Sequence, residues 1–373
     1  MNIAIDARFY GLEHAGLGRY TTNLIHELAN IDTENQYTLF VWEKYKDLAP
    51  GPNFQPFIVE AAHHTFREQV LLAKAIREGR YDLVHFPHFI VPILNFTTPF
   101  VTTVHDLIKH KHSNKEATTL PLPIFYAKYL AYKFDVWWAV HRSRRILVPT
   151  QAVKDDIATY FGLNSEKLVV TYEGFDNTIA SKLNGSTDHQ EVLRKYGVTS
   201  PYIIYVGNSY PYKNIKTLIR ALEFLPDSFT LVLVGSRSIF WERTAKLVEG
   251  LGMKDRVIIT GYVPDEELGI LYQQAVAYTS ASLEEGFGIT PLEAMGVGCP
   301  AVISDIPVFR EVCGQAALYF DPYEPHGLAS RILEIHNDKA RRQEMIGKGY
   351  EQGKRYSWRK MAEETLAVYK ETV

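Results

Sequence analysis

The residues best suited to chemistry lie in one stretch, Glu285-Gly286-Phe287-Gly288-Ile289-Thr290-Pro291-Leu292-Glu293. Two carboxylates bracket a glycine pair, and Pro291 opens an apolar run of Leu292, Ala294, Met295 and Val297. Proline is favoured at the first helical position, where its missing N–H would be unpaired anyway. The segment therefore reads as a glycine loop feeding a helix N-terminus, whose unpaired N–H groups and partial positive charge suit a phosphate. Gly286 and Gly288 let the backbone approach a ligand with no Cβ in the way. Glu285 can then face the ligand from the loop, and Glu293 can accept hydrogen bonds from a sugar diol. A plainer reading fits the same letters. Thr290-Pro291-Leu292-Glu293 matches a capping box, with the threonine hydroxyl accepting from the glutamate N–H and the glutamate reaching back. Glu285 can equally be a solvated charge beside Glu284.

Four other pieces carry residues of the right type. Gly16-Leu17-Gly18-Arg19 precedes a helical pattern of Tyr20, Leu24, Leu28 and Ile31, so a glycine loop again opens a helix. It is not a dinucleotide fingerprint, because Gly16 comes well after Asp6 and the position three beyond Gly18 is Thr21. Such glycines also simply allow turns. His105, in Val104-His105-Asp106, ends an apolar run, the place where ligands bind in α/β sheets. It can donate to a substrate hydroxyl, or be a structural histidine held by Asp106. Gly207-Asn208-Ser209-Tyr210-Pro211-Tyr212-Lys213-Asn214 leads into the apolar-periodic segment Leu218–Leu225. A lysine beside a helix N-terminus is electrostatically awkward, and a bound anion relieves it. Finally, 125–145 is rich in Tyr, Trp and basic residues and ends His141-Arg142-Ser143-Arg144-Arg145. It reads first as core-facing aromatics with a solvated basic end that complements the helix dipole, and second as a membrane-surface helix.

These residues need elements to hold them. Short apolar runs alternate with helical patterns along all 373 residues. In the first half the runs are Ile3–Asp6, Tyr37–Trp42, Leu83–Phe86, Phe100–Val104, Ile146–Pro149 and Leu168–Thr171; in the second, Tyr202–Gly207, Phe229–Gly235, Val257–Thr260, Val276–Ser280, Ala301–Ser304 and Leu318–Phe320. Runs apolar on both faces suit buried parallel strands, and their alternation with helices predicts an α/β fold of βαβ units. The polar stretch 177–190 reads as a linker, so the expected domains are 1–190 and 191–356, each doubly wound, facing a central cleft. An amphipathic segment follows from Ser357, with Trp358, Met361, Leu366 and Tyr369 as its apolar positions.

Composition narrows the function classes. Hydrophobic content of 46% and charged content of 22% match a soluble globular chain. A net charge of −3 gives no global basic field, so nucleic acid is not the expected partner. Two cysteines, Cys299 and Cys313, make neither a disulfide framework nor a metal-ligand cluster. They read as buried thiols in a reducing, cytoplasmic setting. No secretory signal and no transmembrane run is evident, since Pro87, Pro92 and Pro99 break the most apolar region.

Taken in order, Gly16 and Gly18, His105-Asp106, Gly207 to Lys213-Asn214, and Glu285 with Glu293 resemble the retaining GT-B glycosyltransferases of family four, particularly their mannosyltransferase-like group. Pro300-Ala301-Val302-Ile303-Ser304 and Asp321-Pro322 look like the family's stretches downstream of the paired glutamates, so the resemblance covers nearly the whole chain. It implies two Rossmann-like domains, with the nucleotide-sugar donor held mainly by the second and the C-terminal helix 357–373 crossing back to the first. Lys213 would bind the diphosphate and Glu293 the ribose. Glu285 and the backbone of Gly286, Phe287 and Gly288 would hold the sugar, His105 would hydrogen-bond the sugar or stabilise the reacting centre, and Gly16 and Gly18 would lie against the diphosphate. Many members carry an arginine where Asn208 stands. Neutralising the leaving group would then fall to Lys213, the helix end near Thr290, and Arg19.

The implied activity is retaining transfer of a hexose, mannose from GDP-mannose foremost, to a hydroxyl of a glycan or lipid-linked acceptor. The donor is a GDP- or UDP-linked co-substrate, with no cofactor and no metal. The aromatic and basic region 125–145, with Lys109-His110-Lys111-His112, permits peripheral contact with the inner face of a membrane. Two other classes stand beside this one. A dinucleotide-dependent oxidoreductase would use Glu43 as its ribose acid, against which the glycines are misplaced. A non-catalytic nucleotide-sugar-binding protein would keep the fold without transfer.

Overall fold

The structure, a computed structural model, describes residues 1–11, 14–63, 65–95, 97–113, 115, 118–175, 178–182, 188–236 and 238–373. The chain divides into two compact units. The first comprises Met1–Lys111, Thr118–Gly174 and Ser357–Val373, and the second His112–Ala117 and Phe175–Tyr356.

The first unit is built on a seven-stranded parallel sheet. Its strands are β1 (Asn2–Asp6), β2 (Gln36–Val41), β3 (Phe54–Ile58), β4 (Leu83–Phe86), β5 (Phe100–Thr103), β6 (Arg145–Val148) and β7 (Leu168–Val170), in the order β3-β2-β1-β4-β5-β6-β7. Ile3 on β1 is in register with Tyr37 on one side and Leu83 on the other. Ile3, Ala4 and Ile5 are fully buried, as a central parallel strand requires. Strand β3 was not expected from sequence. Its five residues contain Pro56 and leave most side chains outward, which suits an edge strand and breaks the apolar run that marks the others.

The second unit holds a six-stranded parallel sheet: β8 (Tyr202–Val206), β9 (Thr230–Val234), β10 (Val257–Gly261), β11 (Ala277–Ser280), β12 (Ala301–Ser304) and β13 (Ala317–Phe320), in the order β10-β9-β8-β11-β12-β13. Its core joins Ile203, Leu231 and Leu233 of the sheet to Leu218, Leu328 and Ile332 of flanking helices. Cys299 and Cys313 are buried here as free thiols, and burial pushes the Cys299 thiol up to about 12. Both sheets reverse their strand order once, between β1 and β4 in the first and between β8 and β11 in the second. At such a switch point the flanking crossovers leave on opposite faces and open a crevice beyond the strand ends.

The first unit ends at Gly174 rather than near residue 190. Composition misplaced the boundary because part of the polar stretch is structured. Helices Thr178–Ser181 and His189–Lys195 both pack on helix Asp265–Gln274 of the second unit. Residues 176–177 and 183–187 of that stretch lie outside the described residues. The C-terminal helix, Trp358–Thr372, belongs to the first unit and packs on helix Ala15–Ile31. Ser357 caps it by accepting from the Lys360 N–H, and Trp358, Met361, Leu366 and Tyr369 are buried. Tyr369 Oη also lies 2.5 Å from His85 Nδ1 beneath the sheet.

Candidate active site

In the second unit the loops after β8 and β11 meet at the switch point. Strand β8 ends at Val206, and the loop turns through the short helix Pro211–Lys213 into helix Ile215–Ala221. Strand β11 ends at Ser280, and its loop carries Glu285 to helix Ile289–Gly296. The Leu283 N–H donates to the Tyr212 carbonyl at 2.8 Å and ties the two loops together. Lys213 Nζ donates to Glu285 Oε1 at 2.6 Å, with both side chains mostly buried. The lysine ammonium also stands 5.1 Å from the Tyr212 ring. Beneath the loop, the Tyr205 hydroxyl donates to the Asn208 carbonyl at 2.6 Å. The Asn208 side chain is turned back onto its own loop, where its Oδ1 accepts from the Tyr210 N–H at 3.3 Å.

The helix after Glu285 starts earlier than its letters suggest. Gly288 is its N-cap, so Ile289 rather than Pro291 is the first helical residue, and Thr290 already lies inside the first turn. The capping box is therefore not formed with Thr290 as its cap. Gly288 has φ of 85°, a left-handed conformation, and a Cβ there would approach the Phe309 ring to 2.7 Å. Only glycine fits both demands. Phe287 is buried with its ring edge-on to Tyr356 at 5.2 Å, which pins the loop from below. Glu293 is a buried carboxylate on this helix.

In the first unit, His105 follows β5 and is held at both ring nitrogens. Nδ1 lies 3.0 Å from Glu173 Oε1 and Nε2 3.0 Å from the Pro87 carbonyl. Burial, the largest influence, lowers its pKa, but the Glu173 carboxylate, the Pro87 carbonyl and Asp106 together outweigh it and raise the value. With acceptors facing both nitrogens, the surroundings favour the protonated ring, whose two N–H groups they would engage. It is thus not held by Asp106, whose Oδ1 instead accepts from the Ile108 N–H. Nor is it a histidine with a spare donor.

Gly16 and Gly18 sit within helix Ala15–Ile31, not in a loop before it. Residues 12–13, just upstream, lie outside the described residues. A Cβ at Gly18 would fall 1.9 Å from the Gly11 carbonyl oxygen, so close packing explains that glycine. A Cβ at Gly16 would meet nothing within 4 Å among the described residues.

The first unit's own switch point is filled by residues that sequence reading passed over. Arg8 Nε and Nη2 donate to the two Asp6 oxygens at 2.8 and 2.7 Å, and Nη2 also donates to Glu68 at 2.6 Å, all fully buried. Burial raises the Asp6 pKa, but Arg8 overrides it and holds the carboxyl well below the usual range. His88 Nδ1 accepts from the Ile90 N–H at 2.9 Å, which leaves the ring hydrogen on Nε2, 3.3 Å from Asp6. Burial keeps this ring neutral, with a pKa of about 4. Two signals were available: Asp6 at the end of a strand with Arg8 two residues on, and Thr65 capping helix Phe66–Gly79 with Glu68 at its third position. Glu173 gave none, since 68 residues separate it from His105.

Comparison with known proteins decides the family. The description "Glycosyltransferase Family 4" matches residues 14–178, and "Glycosyl transferases group 1" matches residues 188–352. The chain belongs to glycosyltransferase family four. Among its relatives, the O-antigen chain mannosyltransferase RfbU of Salmonella typhimurium is 32% identical over 260 residues, covering 70% of this chain and 66% of that one. O-antigen chain mannosyltransferase B of Escherichia coli is 28% identical and covers 95% of this chain and 96% of its own. The two-sheet architecture is GT-B. Anabaena HepE, solved in complex with UDP and glucose, superposes with a TM-score of 0.75 over 99% of both chains at 18% identity. WaaG, a glycosyltransferase involved in lipopolysaccharide biosynthesis, gives 0.74 over 99% of both at 15%. Membership in this family removes the oxidoreductase reading. Glu43, its ribose acid, lies in the short helix Glu43–Tyr45 with its carboxylate on Lys46 at 3.5 Å.

Proposed function

We propose that this glycosyltransferase transfers mannose, with retention of configuration, from GDP-mannose to a hydroxyl of a glycan or lipid-linked acceptor. The Lys213–Glu285 pair at the β8/β11 switch point carries the reading. It sets a cation and a carboxylate side by side where an α/β sheet binds ligands. Lys213 takes the diphosphate, Glu285 and the backbone of Gly286, Phe287 and Gly288 take the sugar, and Glu293 takes the ribose hydroxyls. Asn208 and Thr290 shape the diphosphate end. Mannose is supported by the two O-antigen relatives, both mannosyltransferases.

In the proposed reaction the bond from the anomeric carbon to the diphosphate oxygen breaks and a bond to the acceptor oxygen forms on the same face. The acceptor proton passes to the departing diphosphate. Charge grows on that diphosphate as the bond breaks, and a donor already aimed at it is the largest catalytic term available. His105, charged and with both N–H groups engaged, serves as electrostatic support to the reaction rather than as a base. The reaction uses no metal and no cofactor, and the enzyme works in the cytoplasm, in peripheral contact with the inner face of the membrane. A panel of GDP- and UDP-linked sugars with product analysis tests this. The reading predicts release of GDP, an α-linked product and full activity in EDTA. Donor binding without transfer to any acceptor would favour a non-catalytic binding protein instead.

A further inference from the structure

The first unit carries a cavity at the opposite edge of its sheet from His105. It holds about 450 Å³ and lies where Thr98 and Pro99 meet the end of helix Leu122–Arg142 and Lys167. Phe100 starts β5, Arg145 starts β6 and Leu168 starts β7, so the cavity stands at the amino ends of these strands. His105 follows the carboxyl end of β5. Four residues at about 3.3 Å each put about 13 Å between the two ends of that strand.

Its charge is uncompensated. Arg142, Arg144 and Lys167 line it, and none of its described lining residues is acidic. Among the described residues, none of these three cations is in an ion pair. Lys167 Nζ donates to the His141 carbonyl at 2.8 Å, and the Arg142 guanidinium rests 5.5 Å from the Trp138 ring. Glu166, the acid beside Lys167 in sequence, instead accepts from Asn164 Nδ2 at 3.3 Å. A helix ends here, and cations suit a helix C-terminus, but its dipole offers only about half a charge against three. The crowding has a consequence: burial first, and the Arg142 guanidinium second, lower the Lys167 pKa. Cations gathered without a carboxylate are relieved by a bound anion, and the planar arginine fork matches phosphate. A volume of this size falls in the range of small-molecule sites, about 300–1,000 Å³, so the phosphate would bring a body with it. Thr97 and Thr98 offer that body hydroxyl groups, on a loop fixed by Asn95 Oδ1 accepting from the Thr98 N–H at 3.3 Å.

We propose that this cavity binds a free phosphorylated sugar, with its phosphate on Arg142, Arg144 and Lys167 and its hydroxyls toward Thr97 and Thr98. The site is separate from the β8/β11 switch point and does not depend on the donor reading.

The test is calorimetric titration of the full chain with glucose 6-phosphate, mannose 6-phosphate and inorganic phosphate. The wild type should bind a hexose phosphate saturably, and more tightly than inorganic phosphate. Arg142→Gln with Arg144→Gln alters two exposed side chains and should weaken that binding by at least about tenfold. Lys213→Ala should leave it unchanged. Lys167, followed by NMR after reductive ¹³C-methylation, should titrate at higher pH once the hexose phosphate is bound. This last readout needs only the wild type, so it decides the matter even if the double variant does not fold. No saturable binding at millimolar concentration overturns the proposal, as does equal affinity in the wild type and the folded double variant, or an unmoved Lys167. Loss of binding in Lys213→Ala would place the phosphate at the donor site instead. Equal affinity for inorganic phosphate would remove the sugar, and displacement of the hexose phosphate by phosphatidic acid vesicles would assign the cavity to a lipid headgroup. Each of these three results contradicts the proposal.

Discussion

Lys213 and Glu285 neutralise each other across 2.6 Å, so an incoming diphosphate must compete with Glu285 for the ammonium. This gives the two residues opposite signatures. Lys213→Ala removes the cation and should weaken nucleotide-sugar binding about 10- to 100-fold, the worth of one charge-assisted hydrogen bond. Glu285→Gln releases the cation and should leave nucleoside diphosphate binding equal or tighter. Its turnover should fall about 100-fold. Calorimetric titration with GDP and UDP, beside steady-state kinetics, separates the two effects.

The glycines make a second, internally controlled prediction. Gly288→Ala places a Cβ at a left-handed position against Phe309 and should lower stability by about 1–2 kcal/mol or more, with loss of donor binding. Gly18→Ala meets the Gly11 carbonyl and should be poorly tolerated. The Cβ of Gly16→Ala meets nothing within 4 Å among the described residues and lies in a helix, so this variant should stabilise by up to about 1 kcal/mol. Denaturant unfolding of the three variants gives the ranking. Diphosphate contact at Gly16 would appear as a loss of donor affinity without loss of stability.

The histidines should titrate on opposite sides of their ordinary value of 6.5. His85 and His88 are buried and neutral, with values of about 3 and about 4. The unfolded chain therefore binds more protons than the folded one below pH 6.5, and stability falls as pH drops from there toward 4. His105 has the opposite sign. Its raised value gives stability that is full below 6.5 and is lost as pH rises through the folded value. Imidazole NMR titration should show His105 with its midpoint above 6.5 and the other two below it, and Glu173→Gln should lower the His105 midpoint. Turnover of that variant should fall at neutral pH and recover on acidification.

The Asp6–Arg8–Glu68 network makes a stability prediction. Arg8→Ala leaves two carboxylates fully buried without their guanidinium and should cost about 3–5 kcal/mol. Replacing all three residues with apolar groups of similar volume should cost far less. Thermal unfolding of both variants decides it.

Much of this was legible in the letters, and the reasons differ by residue. Strands such as Leu83–Phe86 and Ala301–Ser304 were readable because central parallel strands are apolar on both faces. Strand β3 was not, because Pro56 and its outward residues give an edge strand no such signature. Lys213 and Glu285 could be picked from their glycine loops, but their ion pair could not, since 72 residues separate them. His105 was readable as a residue at a strand end, whereas its charge depends on Glu173 from a distant loop.

The most direct test of the central claim is calorimetric titration of the wild type and Lys213→Ala with GDP-mannose. The account predicts saturable binding by the wild type and a dissociation constant at least about tenfold higher for the variant, measured below the melting temperature of both. No binding of any GDP- or UDP-linked sugar at millimolar concentration, or equal affinity in the two proteins, would contradict it.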